Sequence, residues 1–446
     1  MRPLGLLFAG LLLALPSGAG AARLQAATPQ VAPAPVACPE SVGRGVRCLS
    51  GRDRNGAWYV IAVPADWNRR LIVHAHGGPR TGDPEASDSL EDLARYSIMV
   101  RQGYAWIGST YRRGGYGVRM AAEDVDNSRR IFWAGFGRPE RTILHGQSWG
   151  GNVAAKASEL YALDLDGARN YDGVLITNGI LSGGTRAYQF RAGLRAVYQY
   201  YCRNHPAPGE AAYPVWQGLP AGARMTRATL RERVEACTGV DRPAARRTPD
   251  QARRLADILA ATGVGEGELV SHLWWATTLF QDMVHLRLGG LNPFDNSTVV
   301  YGGTSDDAAL NAGVERFRAD PDAVARLAYD ADLSGLIVLP TMTLHARYDP
   351  TVSSEAQALY AATVAAAGRS HLLVQATTEE DEHSRLADGG YLTTLAALER
   401  WIDDGERPDP DAFQQACIQS GQPAGACRFV VDRGADTGPA MESDPA

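Results

Sequence analysis

The stretch Gly146-Gln147-Ser148-Trp149-Gly150-Gly151 constrains this chain more than any other. It has the form G-x-S-x-G, and its setting says more than its letters. Residues 141–144 read as a short strand running straight into it, and the Ala-rich run 152–162 reads as a helix directly after it. A serine on so sharp a strand-to-helix turn needs a strained backbone, so its neighbours two positions away must be nearly free of side chain. The turn lifts the hydroxyl above the sheet edge. It also sets the hydroxyl at a helix N-terminus, where developing negative charge is stabilised. Ser148 is therefore the candidate nucleophile. The bland alternative is an ordinary glycine-rich turn.

Around this turn strands and helices alternate. Strands are expected over 57–63, 71–75, 104–109 and 173–177, with helices over 88–102 and 122–136. Nearly continuous apolar strands between helices predict an α/β fold, a mostly parallel sheet flanked by helices on both faces. The rhythm breaks over 182–332, a segment rich in Ala, Arg and aromatics, with helices expected over 248–262 and 267–280. It reads as an inserted helical cap. The rhythm resumes with strands over 336–345 and 371–375 and helices over 353–367 and 391–403. The core thus comprises 51–181 and 333–408. Residues 22–50, rich in Ala, Pro, Thr and Gln toward their start, read as a flexible leader. Residues 409–446 read as a tail whose last residues are disordered.

A serine nucleophile needs a base within hydrogen-bond reach, and the base needs an orienting carboxylate. Of nine histidines, His383 falls in a loop just past the last expected strand, where a base reaches back over the strand ends. Asp349 follows the strand over 336–345 and precedes Pro350, on the edge of an open α/β sheet where function concentrates. Glu380 and Asp381 are alternatives close to His383. For the oxyanion, two backbone N–H groups are required. Trp149, after the serine, supplies one. The loop His76-Gly77-Gly78-Pro79 supplies the other: Pro79 has no N–H, so Gly78 comes first and Gly77 second. His74 and His76 lie on one face of a strand and invite a metal reading, but no matching ligand cluster accompanies them. Trp274, Trp275 and Phe280 read as packing between cap and core, or as walls of an acyl pocket.

Composition sets the remaining limits. Met1-Arg2, the apolar run from Leu4 to Pro16 and the small residues Ala19-Gly20-Ala21 read as a signal peptide over 1–21, which implies a secreted or periplasmic protein. The apolar run is short for a membrane span, so a stable membrane anchor is not expected. Six cysteines behind such a signal suggest disulfides, with neighbours paired as Cys38–Cys48, Cys202–Cys237 and Cys417–Cys427. The net charge of −6 argues against a nucleic-acid partner.

The chain resembles the α/β-hydrolase superfamily. The order Ser148, Asp349, His383 is that superfamily's chain order, and residues 76–79 and 146–151 look like its oxyanion loop and nucleophile elbow. The resemblance covers about 57–404. It implies an eight-stranded sheet and acyl transfer to water without a cofactor, on a small-molecule or polymeric ester. His-Gly-Gly-Pro also looks like the loop of proline iminopeptidases and prolyl-oligopeptidase-type enzymes, although Arg80 stands where those chains often carry Gly. Peptide or amide hydrolysis is therefore the second reading, and a non-catalytic binding protein on the same scaffold the third. Oligomeric state stays open.

Overall fold

A computed structural model describes residues 30–431. The signal peptide expected over 1–21 and the end of the tail lie outside the described residues. Among the described residues nine strands form one sheet: β1 (Val31–Val36), β2 (Val46–Arg52), β3 (Trp58–Pro64), β4 (Arg70–Ala75), β5 (Ala105–Ser109), β6 (Arg141–Gln147), β7 (Gly173–Thr177), β8 (Thr341–Ala346) and β9 (Leu373–Thr378). Their order is β1-β2-β3-β5-β4-β6-β7-β8-β9. β1, β2, β3 and β5 pair antiparallel, whereas β5, β4 and β6 to β9 run parallel. From β2 onward this is the α/β-hydrolase fold. Every residue of β5, β7 and β8 is buried, as parallel strands covered on both faces require. One face packs against helices Val118–Phe136, Trp149–Tyr161 and Glu355–Ala366, the other against Ala86–Arg95, Ser97–Arg101 and Asp388–Asp404.

Three local expectations need correction. The sheet has nine strands rather than eight, because the segment read as a flexible leader contains β1 and β2. Cys38–Cys48 closes the turn between them, and Pro33 and Pro35 sit in β1 at the sheet edge, where missing N–H donors are tolerated and discourage pairing with another chain. The helix expected over 88–102 is two helices, broken at Tyr96, a buried residue with φ −102° and ψ 23°. The strand expected from 336 begins at Thr341, because Pro340 cannot donate to a ladder.

Between β7 and β8 the described chain is helical, with helices Gln189–Cys202, Arg227–Thr238, Pro249–Thr262 and Leu269–Gln281 at its centre. Cys202–Cys237 ties the first two together. The last helix of this segment, Pro321–Ala331, docks on the core. The Asp330 carboxylate accepts the N–H groups of Val118 and Arg119 at 2.9 and 3.1 Å, capping helix Val118–Phe136. Asn152 Nδ2 donates to Ala331 O at 3.0 Å. Past residue 409 the described chain packs along β9: Cys417–Cys427 staples it, and Val430 N–H donates to Thr377 O at 2.8 Å.

Candidate active site

The turn after β6 is built by close backbone approach. A Cβ on Gly150 would lie 2.2 Å from Ala75 O, and one on Gly146 would lie 2.2 Å from Gly150 O. No side chain fits at either place. Ser148 takes φ 58° and ψ −126°, a costly backbone for a residue with a side chain. It is held there by its N–H donating to Thr177 O at 3.1 Å and by its carbonyl accepting the N–H of Ile180 at 2.9 Å. Helix Trp149–Tyr161 starts directly after it, so the Trp149 N–H has no acceptor within that helix.

His383, in the loop after β9, places Nε2 2.8 Å from Ser148 Oγ. Its Nδ1 lies 2.8 and 2.9 Å from the two carboxylate oxygens of Asp349. A carboxylate only accepts, so Nδ1 carries the proton and the Nε2 lone pair receives the serine hydroxyl. The Asp349 side chain is fully buried, and its Oδ1 also accepts the N–H groups of Thr351 and Val352 at 2.8 and 3.0 Å. Of the three acids considered from sequence, Asp349 is the one at His383 Nδ1. Glu380 instead accepts the Ala387 N–H at 2.9 Å, and Asp381 is exposed.

Two positioning contacts escaped the sequence reading. Asn178 Nδ2 donates to the carbonyls of Glu382 and His383 at 3.0 and 2.7 Å, while its Oδ1 accepts the Ala346 N–H at 2.8 Å. Asn178 thus bolts the loop carrying His383 to the end of β8, which leads to Asp349. Gln147 Nε2 donates to the same His383 carbonyl at 2.9 Å. The pair Asn178-Gly179 at a strand end was a visible turn signal, but its partners were not.

The loop 76–79 stands beside the elbow. A Cβ on Gly77 would lie 2.6 Å from Gln147 Oε1, and Gly78 has φ +75°. Gly78 lines a cleft of about 200 Å³ together with Tyr111 and Gly114. Asp92, buried in helix Ala86–Arg95, anchors this loop. Its Oδ2 accepts the Nδ1–H of His76 in a short hydrogen bond and lies 3.4 Å from His74 Nε2. Tyr111 adds a second tie, its hydroxyl donating to His76 O at 2.7 Å. Burial raises the Asp92 pKa, but the facing His76 and His74 outweigh it and hold the carboxyl well below the usual range. His74 Nδ1 in turn meets His145 Nδ1 at 2.9 Å. The two histidines therefore serve a hydrogen-bonded chain, and among the described residues no group of three or more His, Cys, Asp or Glu is arranged to hold a metal ion.

Two residues of the helical segment between β7 and β8 reach the loop after Asp349. Arg191 Nε donates to His272 Nδ1 at 3.0 Å, and His272 Nε2 donates to Pro350 O at 3.2 Å. Burial, aided by the Arg191 charge, lowers the His272 pKa to about 3, and burial lowers that of Arg191 to about 10. Trp275 lies edge-on to His272 with its face to Arg191. Phe280 stacks on Phe294 in the core, whereas Trp274 lines a cavity of about 640 Å³ beside Thr81 and Gly82.

No protein-family model and no curated protein matches the chain. Among solved structures, a lipase A from Candida antarctica is 12% identical, with a TM-score of 0.47, covering 86% of this chain and 83% of that one. An esterase from Aspergillus oryzae is 14% identical, with a TM-score of 0.43 and coverages of 84% and 85%. A rice cell wall degrading esterase from Xanthomonas oryzae is 14% identical, with a TM-score of 0.40 and coverages of 80% and 90%. No substrate passes from those proteins to this one at such similarity.

Proposed function

We propose that this protein is a serine hydrolase that cleaves carboxylic esters through an acyl-enzyme on Ser148. The observation that carries the reading is the line Asp349–His383–Ser148, with 2.8 Å at each junction. Ser148 Oγ attacks the ester carbonyl while His383 Nε2 takes its proton. Asp349 fixes the imidazole tautomer and stabilises the imidazolium. The N–H groups of Trp149 and Gly78, with Gly77 as the second choice in that loop, receive the oxyanion. His383 then returns the proton to the leaving alkoxide. Water repeats the sequence on the acyl-enzyme, with His383 taking the water proton and passing it to Ser148 Oγ as the acid departs. Atoms and charges balance without a cofactor.

An ester asks less of this machinery than an amide, whose amine must be protonated before it leaves. Three disulfides favour an oxidising compartment, in keeping with a secreted or periplasmic protein. Among the described residues no helix is long and apolar enough to cross a membrane. The test pairs Ser148→Ala with fluorophosphonate labelling and with p-nitrophenyl esters run beside aminoacyl and prolyl arylamides. The expected result is ester turnover and labelling in the wild type and neither in the variant. Turnover of arylamides alone overturns the esterase reading, and activity that survives Ser148→Ala overturns the nucleophile.

A further inference from the structure

A cavity of about 630 Å³ lies between cap and core. Its inner wall includes Ile180, Thr351 and Val352. Ile180 donates its N–H to the Ser148 carbonyl, and Thr351 and Val352 donate theirs to the Asp349 carboxylate. Ser148 and His383 are not themselves on its wall, but the cavity adjoins the segments that hold the serine and its acid.

Arg191 lines this cavity and is only 3% exposed. A buried guanidinium without a carboxylate is costly, because the lost hydration has to be replaced. Its protein partners are neutral. Nε donates to His272 Nδ1, Nη2 donates to Thr351 O over a long 3.4 Å, and the faces of Phe190, Trp275 and Tyr188 lie 4.6 to 5.4 Å from the guanidinium carbon. No described residue bonds Nη1. Arg186, also on the cavity wall, is exposed, and so is the cavity's own acid, Glu355, in the first turn of helix Glu355–Ala366. The fork of Arg191 thus keeps donor capacity facing the cavity, where a planar carboxylate is its best complement.

We infer that a substrate bound at Ser148 extends into this cavity and that Arg191 receives its carboxylate, so that the preferred substrates are esters carrying a free carboxylate. This rests on the reading of Ser148 as nucleophile. The carboxylate can belong to the acyl chain or to the alcohol, and the experiment separates the two. One arm compares p-nitrophenyl hemiesters of dicarboxylic acids of rising length with fatty-acid p-nitrophenyl esters of matched length. The other compares butyrate esters of hydroxybenzoic acids with phenyl butyrate.

In one arm the wild type is expected to prefer the anionic ester in kcat/KM by about tenfold to a hundredfold, the worth of a charge-assisted bidentate contact. Arg191→Gln is expected to abolish that preference, and Arg191→Lys to restore part of it. Wild-type ratios near one in both arms, or a preference that Arg191→Gln retains, overturn the inference. Should the variants not fold, competitive inhibition of the wild type by hexanoate against hexanamide decides. Stronger inhibition by the carboxylate supports the inference, and equal inhibition overturns it. Fluorophosphonate labelling of Ser148 keeps the two readings apart. Labelling without any carboxylate preference sinks this inference alone, whereas a chain that neither labels nor turns over either series sinks the hydrolase reading and this inference with it.

Discussion

Removing the Asn178 side chain tests how His383 is held. Its amide makes three hydrogen bonds, two to carbonyls of the 382–383 loop and one from the Ala346 N–H, at 2.7 to 3.0 Å and out of contact with water. At about 1 kcal/mol net each, their loss costs about 3 kcal/mol. Asn178 also has φ +44°, a region where Ala adds about 1 kcal/mol of strain and Gly adds none. Asn178→Ala is therefore expected to lose about 4 kcal/mol of stability and Asn178→Gly about 3 kcal/mol. Both should lower kcat similarly, by about tenfold to a hundredfold, because the imidazole is displaced in both. Asn178→Asp should be worse for kcat, since it keeps the acceptor for Ala346 but turns a carboxylate toward two carbonyls. Urea unfolding gives the stabilities, and burst kinetics on a p-nitrophenyl ester separate acylation from release. Gln147 holds the same His383 carbonyl, so Gln147→Ala and Asn178→Ala should be non-additive in kcat. If Asn178→Gly acylates within twofold of the wild type, the bolt between the two loops plays no part in placing His383.

Two further expectations concern buried charge. His272 is kept neutral by burial, with its pKa near 3 when folded against 6.5 when unfolded. Between those values only the unfolded chain binds the proton, so stability rises with pH through this window and is lost as pH falls below 6.5, by at most about 1.4 kcal/mol per pH unit. Burial pushes His74, His145 and His205 the same way, so His272→Gln should reduce the acid slope without removing it. Urea midpoints measured from pH 4 to pH 7 report this, and an unchanged slope refutes it. Asp92→Asn should cost about 3 kcal/mol by breaking the buried contact with His76. It should also lower kcat while leaving KM nearly unchanged, because on the proposed mechanism the 76–79 loop acts on the transition state. A variant that melts earlier but acylates normally assigns Asp92 to packing alone.

What sequence could reveal here depended on how far apart the interacting residues lie along the chain. Ser148 was legible because its demands are local: Gly146 and Gly150 are forced by backbone contacts within a few residues or with the adjacent strand. The parallel sheet was legible for a related reason, since β5, β7 and β8 are buried throughout and so read as unbroken apolar runs. Asp349 and His383 could be named because each follows a strand that ends at the same edge, and their hydrogen bond spans 34 residues. The residues that hold these groups gave no such sign. Asp92 sits in an amphipathic helix among Asp88, Glu91 and Arg95, where an acid ordinarily faces water, and only packing turns it toward His76. Asn178 meets His383 across 205 residues, and Arg191 meets Thr351 across 160. The leader was misread for the same reason: Pro and Ala in residues 31–36 are poor strand formers alone, and they become β1 through pairing with β2 and the closure at Cys38–Cys48. Local chemistry therefore marked Ser148, while the residues that hold His383 and the 76–79 loop in place depend on long-range packing that no short motif encodes.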